Sequence, residues 1–242
     1  MIVKKLSIVV LCYKAGELVR EVVSRITHGL QGESIDYEIV LVCNYLPGEE
    51  SIDTTHTIAK ELAQNNGAIR VVAKPKEGMM GWDMLSGLRA ATGDTLLVTD
   101  GDGQMPLEDI LKVYKKFVSG QDGLVKTYRV HRADGLYRKI ISGIYNFVLK
   151  LLFPKVTVKD ANSKPKIMTR EVFEKLHLTA TDWFIDAEII INATYAGISI
   201  GQVETHFLKN EFRPSFVKIK ALFEFTGNLI KHRFRLWFYK NG

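Results

Sequence analysis

The sequence predicts an α/β fold: a mostly parallel central sheet flanked by helices, with a mixed second half. Three observations predict it. Strand-like and helix-like segments alternate four times over the first 120 residues. The strand-like runs are continuously apolar instead of alternating, as strands buried on both faces are. The 242-residue chain is 46% hydrophobic and 25% charged, ordinary for a packed globular domain. Regular β–α alternation argues for a parallel sheet with helices on both faces, and such sheets bind ligands at the carboxyl ends of their strands.

The elements follow in order. "LSIVVLCY" (6–13) is a buried strand, and residues 16–30 form a helix whose Leu18, Val22, Ile26 and Leu30 share one face. "DYEIVLVCNY" (36–45) is a second buried strand, broken off at Pro47-Gly48. A helix over 53–67 takes Asp53 or Thr54 as N-cap and Gly67 as its stop. Then come a strand (68–75), a helix (81–93), a strand (94–100) and a helix (106–120) with Pro106 at its start. The second half reads as a strand (123–130), a long helix (136–153), a short strand leading into a helix (164–176), a helix (182–197) and a strand (198–207). No repeat, low-complexity tract or flexible linker divides the chain. Residues 1–210 are therefore expected to be one domain, with 211–242 a basic amphipathic segment of that domain or a membrane-surface helix.

Cys12 and Cys43 each end an apolar run and read as buried free thiols, which suits a reducing compartment. The N-terminal apolar stretch, with Lys4 and Lys5, reads as a first strand and not as a signal peptide. A spanning helix needs roughly 20 apolar residues, and the longest candidate is broken by Lys150 and ended by Pro154. The net charge of +6 resides between His206 and Gly242, where eight Lys or Arg face two Glu. Phe216, Ile219, Phe223, Ile230, Phe234 and Trp237 fall at helical spacing beside those cations. Such a stripe packs on the core or lies on an anionic membrane surface. Nucleic acid is not an expected partner, because the basic residues are confined to one end and no recognition motif accompanies them. The expected location is cytoplasmic, peripheral on the cytoplasmic membrane face if the stripe meets lipid.

The chemistry concentrates in "TGDTLLVTDGDGQMPLEDI" (92–110). Asp100, Asp102 and Gln104 alternate, so an extended loop points their oxygens to one side at the end of a buried strand. A carboxylate pair there is costly without a compensating charge. A hard divalent cation, Mg2+ or Mn2+, relieves the repulsion and holds a diphosphate. A solvated turn is the bland alternative. A calcium-binding loop fits poorly, since Met105 replaces its glycine and Leu111 its closing glutamate.

These residues resemble the inverting glycosyltransferases of family 2 with the GT-A fold, in particular the dolichyl- or polyprenyl-phosphate sugar synthases. The resemblance is carried by "LSIVVLCY", "EIVLV" with a later "DTT", "GWDMLSGLRAATGDTLLVTDGDGQMPLEDI", "RKIISGIYN", "DANSKPKIMTREVFEKL", "DWFIDAEIIINATYAGISIGQV" and "RPSF", over about residues 6–220. It implies a nucleotide-sugar donor, a polyprenyl-phosphate or other glycan acceptor, and metal at Asp100, Asp102 and Gln104. Tyr13, Asn44, Asp83, Asp100 and Arg213 are the implied donor-binding positions. Arg129, Arg138 and Ser142 match acceptor-side residues that meet a lipid phosphate. Asp160 matches an aspartate lining the sugar pocket. Asp182, with Asp186 and Glu188 behind it, matches the family's acidic helix start. The implied catalytic set is Asp102, Asp160 and Asp182. Asp182 as a simple helix cap, and Arg129 and Arg138 as exposed arginines, remain open.

The departures are on the donor side. The family's Pro-x-Tyr-Asn-Glu after the first strand is Leu11-Cys12-Tyr13-Lys14-Ala15 here, Asp-Asp-Gly-Ser is Cys43-Asn44-Tyr45-Leu46, and Gly-Lys-Gly is Met79-Met80-Gly81. The alternative function is therefore a catalytically decayed member that binds lipid or a protein partner.

Overall fold

The computed structural model of the chain describes residues 3–106, 108–132, 136–207 and 226–235. Its elements are β1 (Leu6–Leu11), α1 (Leu18–Leu30), β2 (Tyr37–Val42), α2 (Thr55–Asn65), β3 (Ile69–Val72), α3 (Met80–Ala90) and β4 (Thr95–Asp100). The second half continues with α4 (Glu108–Ser119), β5 (Leu124–Arg132), α5 (Leu136–Leu152), β6 (Lys166–Thr169), α6 (Arg170–Lys175), α7 (Ile185–Tyr195) and β7 (Ile200–Phe207). Residues 226–235 are helical. Arg213, Phe216, Ile219, Phe223 and Trp237 lie outside the described residues.

The strands form one seven-stranded sheet in the order β3-β2-β1-β4-β6-β5-β7. β1 to β4 are mutually parallel, as the alternation predicts. β6 runs antiparallel to both β4 and β5, and β7 returns parallel to β5. Every residue of β1 is buried. Successive residues of a strand face opposite sides, so Val9 and Leu11 pack with α3, α5 and α7. Ile8 and Val10 pack with α1, α2 and α4. A Cβ on Gly87 would come within 2.5 Å of both Val9 and Val42, so this glycine lets α3 lie close on β1 and β2.

Register levels one rim of the sheet. Leu11 stands opposite Val42 and Asp100, so the carboxyl ends of β1, β2 and β4 are level. Cys12 and Cys43 sit just beyond, free and buried. Because β6 is reversed, its first residue, Lys166, pairs with Val98 near the same rim. One edge of the sheet therefore collects the ends of the parallel strands and the beginning of the antiparallel one.

Local differences from the sequence reading have local causes. The Asp53 carboxylate accepts the Thr55 N–H at 3.1 Å, while Thr54 occupies the cap position without a side-chain bond. α7 starts at Ile185 and not at Asp182, because the Asp182 carboxylate takes the Phe184 N–H at 2.9 Å and holds a turn ahead of the helix.

Candidate active site

Among the candidate donor-binding residues, Asn44 lies two residues beyond β2 and is fully buried. Its Nδ2 donates to Asp83 Oδ1 and to Ser86 Oγ, both at 2.9 Å, and its Oδ1 accepts the Lys74 N–H at 3.1 Å. Lys76 Nζ pairs with the other Asp83 oxygen and stands 4.0 Å from the centroid of the Tyr13 ring, within cation–π range. Tyr13, Asn44 and Asp83 are thus brought together around Lys76. Burial raises the Asp83 carboxyl above its usual range even against Lys76 and Asn44.

The loop at the start of α3 is tied across the site. The Met79 N–H donates to Thr181 O at 2.8 Å and the Gly81 N–H to Asp182 O at 3.1 Å. A Cβ on Gly81 would meet Ala180 O at 2.4 Å, so only glycine permits this approach. Asp182 Oδ2 accepts Asn228 Nδ2 at 2.6 Å, which joins the helix 226–235 to the same loop. A cavity of about 180 Å³ opens there, lined by Asp182, Phe184, Glu188, Lys231, His232 and Arg235.

Asp100 is the last residue of β4, with its side chain 28% exposed. Asp102 Oδ1 accepts the Gln104 N–H at 3.1 Å, a local turn that φ +74° at Gly103 makes possible. Gln104 is buried. The charge that Asp100 needs is partly internal: Lys164 Nζ lies 3.3 Å from Oδ1 and 3.4 Å from Oδ2. Two carboxylates and an amide are hard oxygen donors and form only part of a shell. Among the described residues no group of three or more His, Cys, Asp or Glu is placed to hold a metal ion by itself. A cation that keeps waters and accepts phosphate oxygens, Mg2+ or Mn2+, fits such a partial set.

On the opposite side, Arg129 makes a bidentate pair with Asp160, Nε to Oδ2 at 2.6 Å and Nη2 to Oδ1 at 2.9 Å. The acceptor-phosphate and sugar-pocket candidates are therefore one ion pair. Beneath it lie three buried lysines. Lys126 Nζ donates to the carbonyls of Thr127 and Asp160. Lys164 and Lys166 both reach Asp186, Lys164 at 3.0 Å. Burial, and then the charge of Lys166, push Lys126 well below the ordinary lysine range. Burial acts on Lys164 in the same direction, but Asp100 and Asp186 outweigh it and raise its pKa. Burial likewise opposes the charge of Asp186, yet Lys164 and Lys166 hold its pKa below the usual carboxylate range.

Arg138 and Ser142 fall in the first half of α5; their side chains lie outside the described residues. α5 buries Tyr145 and Leu149 and exposes Ile140, Ile144, Phe147 and Leu151, at 54%, 45%, 67% and 68%. On the helix 226–235, Leu229 and His232 face inward while Ile230 and Phe234 are exposed.

Lys76, Lys126, Lys164 and Lys166 were not among the sequence candidates. Their signal was slight: a lone lysine within apolar "GLVKTY", and lysines beside prolines in "KPKEG" and "KPKIM".

Residues 7–177 match the family Glycosyl transferase family 2. The chain is 30% identical over 237 residues to a dolichol-phosphate mannosyltransferase of Pyrococcus furiosus. That alignment covers 96% of this chain and 63% of the relative, so the chain spans less than two thirds of that protein. Glucosyl-3-phosphoglycerate synthase of Mycobacterium tuberculosis, solved with Mn2+, UDP and glucosyl-3-phosphoglycerate, superposes with a TM-score of 0.67 at 18% identity. The superposition covers 93% of this chain and 77% of that one. The same synthase with Mg2+ and UDP gives 0.67 at 18% identity, covering 93% and 76%. The sheet order, the superposition and the match over 7–177 lead to one conclusion: the chain belongs to glycosyl transferase family 2, as a glycosyltransferase domain of GT-A fold.

Proposed function

We propose that this domain transfers a sugar from a nucleoside diphosphate sugar to a polyprenyl phosphate, with inversion at the anomeric carbon. The observation that carries the acceptor is α5. The helix bearing Arg138 and Ser142 presents Ile140, Ile144, Phe147 and Leu151 outward, an apolar stripe suited to the boundary between headgroups and acyl chains. The Pyrococcus relative, named for dolichol phosphate, supports the same class of acceptor. No helix among the described residues is long and apolar enough to cross a membrane, so contact along a surface is the mode this stripe serves. The basic segment 211–242 adds charge attraction to anionic lipid, and the setting is the cytoplasmic membrane face.

In this reading Asp100, Asp102 and Gln104 form the loop that would hold Mg2+ or Mn2+, which when bound would supply charge neutralisation to the departing diphosphate. Tyr13, Lys76 and Asp83 form the wall toward the nucleotide, and Arg213 closes over the diphosphate. Arg129 and Arg138 suit phosphate oxygens, since a guanidinium matches them bidentately. Asp160 holds Arg129 in place and lines the sugar pocket. A phosphate monoester has a second pKa of about 6, so the attacking oxygen is already ionised near neutral pH and a strong general base is not required. Asp182, whose oxygens accept the Phe184 N–H and Asn228, then orients the acceptor loop and does not abstract a proton.

Calorimetric titration with UDP and GDP in Mn2+, followed by transfer of labelled sugar to a polyprenyl phosphate in detergent, tests the reading. Binding of either nucleotide and labelled lipid are expected, and Asp102→Ala should lose both by at least about 100-fold, the scale of losing an electrostatic group at a transferring centre. Full activity in Asp102→Ala would sink the metal role. No heat with either nucleotide would favour the binding-module alternative.

A further inference from the structure

We propose that Lys164 is a built-in counter-cation of the metal loop, a positioning residue that neutralises Asp100 and leaves the divalent ion to Asp102 and Gln104. The inference rests on the metal-dependent reading above and goes beyond it, because it assigns different partners to the two aspartates of the loop.

The geometry is specific. The Lys164 ammonium straddles the Asp100 carboxylate at 3.3 and 3.4 Å, with its side chain only 3% exposed. Asp186 Oδ2 holds it from behind at 3.0 Å, and Asp186 is itself fixed by Lys166. The backbone that carries Lys164 is clamped to β5: Thr127 Oγ1 donates to Lys164 O at 2.7 Å and the Thr127 N–H to Pro165 O at 3.2 Å. Asp100, Lys164, Asp186 and Lys166 thus form a row of two acids and two lysines, charge-balanced without any metal. Buried charges persist when paired in this way, and removing one member leaves its partner uncompensated.

A further neighbour of the ammonium is Met80 Sδ at 3.4 Å. Met80 stands where the resembled family has the lysine of Gly-Lys-Gly, so the two features answer each other. The positive charge missing from the start of α3 arrives at the same point from the loop before β6. A fixed ammonium beside Asp100 also repels a divalent ion, which makes the unliganded loop a weak metal site until phosphate oxygens join it.

The test is Mn2+ binding to the full chain without nucleotide, followed by the electron paramagnetic resonance of free Mn2+. Lys164→Met should bind Mn2+ more tightly by about tenfold, the scale of removing one nearby positive charge at intermediate dielectric. Met80→Lys, which adds a second ammonium beside Asp100, should weaken binding by a similar factor. The double variant should return close to wild type, which a merely structural role for Lys164 does not predict. Unchanged Mn2+ affinity in both single variants overturns the inference. Should Lys164→Met not fold, Met80→Lys decides alone, because Met80 is only partly buried. Wild type that binds Mn2+ with UDP while the variants match it removes the role of Lys164 and keeps the metal reading. Wild type that binds no Mn2+ even with UDP removes both.

Discussion

At the scale of single residues, the cluster around Asp83 shows an acid displaced. Where the resembled family has a carboxylate after its second strand, this chain has Asn44, whose Nδ2 lies 2.9 Å from Asp83 Oδ1. Two buried carboxylates at that distance could not both ionise, so an amide at 44 is the natural partner for an acid at 83. Asn44→Ala would leave Asp83, Ser86 and the Lys74 N–H each short of a bond, which costs about 1–3 kcal/mol. Urea unfolding should show a lowered midpoint with an unchanged slope. Asn44 and Asp83 were legible as candidates, but their union was not, since they are 39 residues apart and on different elements. The cation at Asp100 was legible as a need and not as a residue. Lys164 and Lys166 look like solvated charges flanking a proline, and nothing local reveals that Asp186 lies between them.

At the scale of elements, the alternating strands and helices of the first 120 residues were readable because parallel strands buried on both faces must be continuously apolar. β6 was harder. Four residues carry no mark of direction, and its antiparallel setting comes from its place between β4 and β5. α5 misleads in another way, because apolar residues occur on two of its faces. Periodicity finds the helix, but only packing tells which stripe is covered. With Phe147 and Leu151 about two-thirds exposed, the double change Phe147→Glu and Leu151→Glu should leave the melting temperature within a few degrees. The same variant should lose flotation with anionic vesicles. Flotation equal to wild type would take α5 out of the membrane contact. Of the apolar stripe read at 216–237, only Ile230 and Phe234 fall among the described residues, and both are exposed, while the inward face of that helix is made by Leu229 and His232, which the stripe did not include.

At the scale of the whole molecule, the helix 226–235 docks on the body through His232. The ring is buried, its Nε2 lies 2.8 Å from Asn192 Oδ1, and it packs against Phe153 and Phe184. Burial, and then Arg235, lower its pKa to about 4 from 6.5; Asp182 and Glu188 line the adjoining cavity. Above pH 6.5 the ring is neutral in both folded and unfolded chains, and its contribution to stability is complete. Below that value the unfolded chain takes up a proton that the folded chain refuses, so stability falls until the folded pKa near 4 is reached. Urea midpoints measured from pH 7 to 4.5 should therefore fall more steeply in wild type than in His232→Gln. Parallel slopes would remove His232 as the cause.

The segment from Asp160 to Lys166 reaches both sides of the rim. Its first residue grips Arg129, its fifth meets Asp100 and Asp186, and its last closes on Asp186 again. Seven consecutive residues therefore behave as a cassette with three fixed sockets elsewhere in the chain. A chimera that exchanges the second half with a relative inherits an intact rim only if cassette and sockets travel together, and the seam between halves belongs before β4 or after α7, never between them.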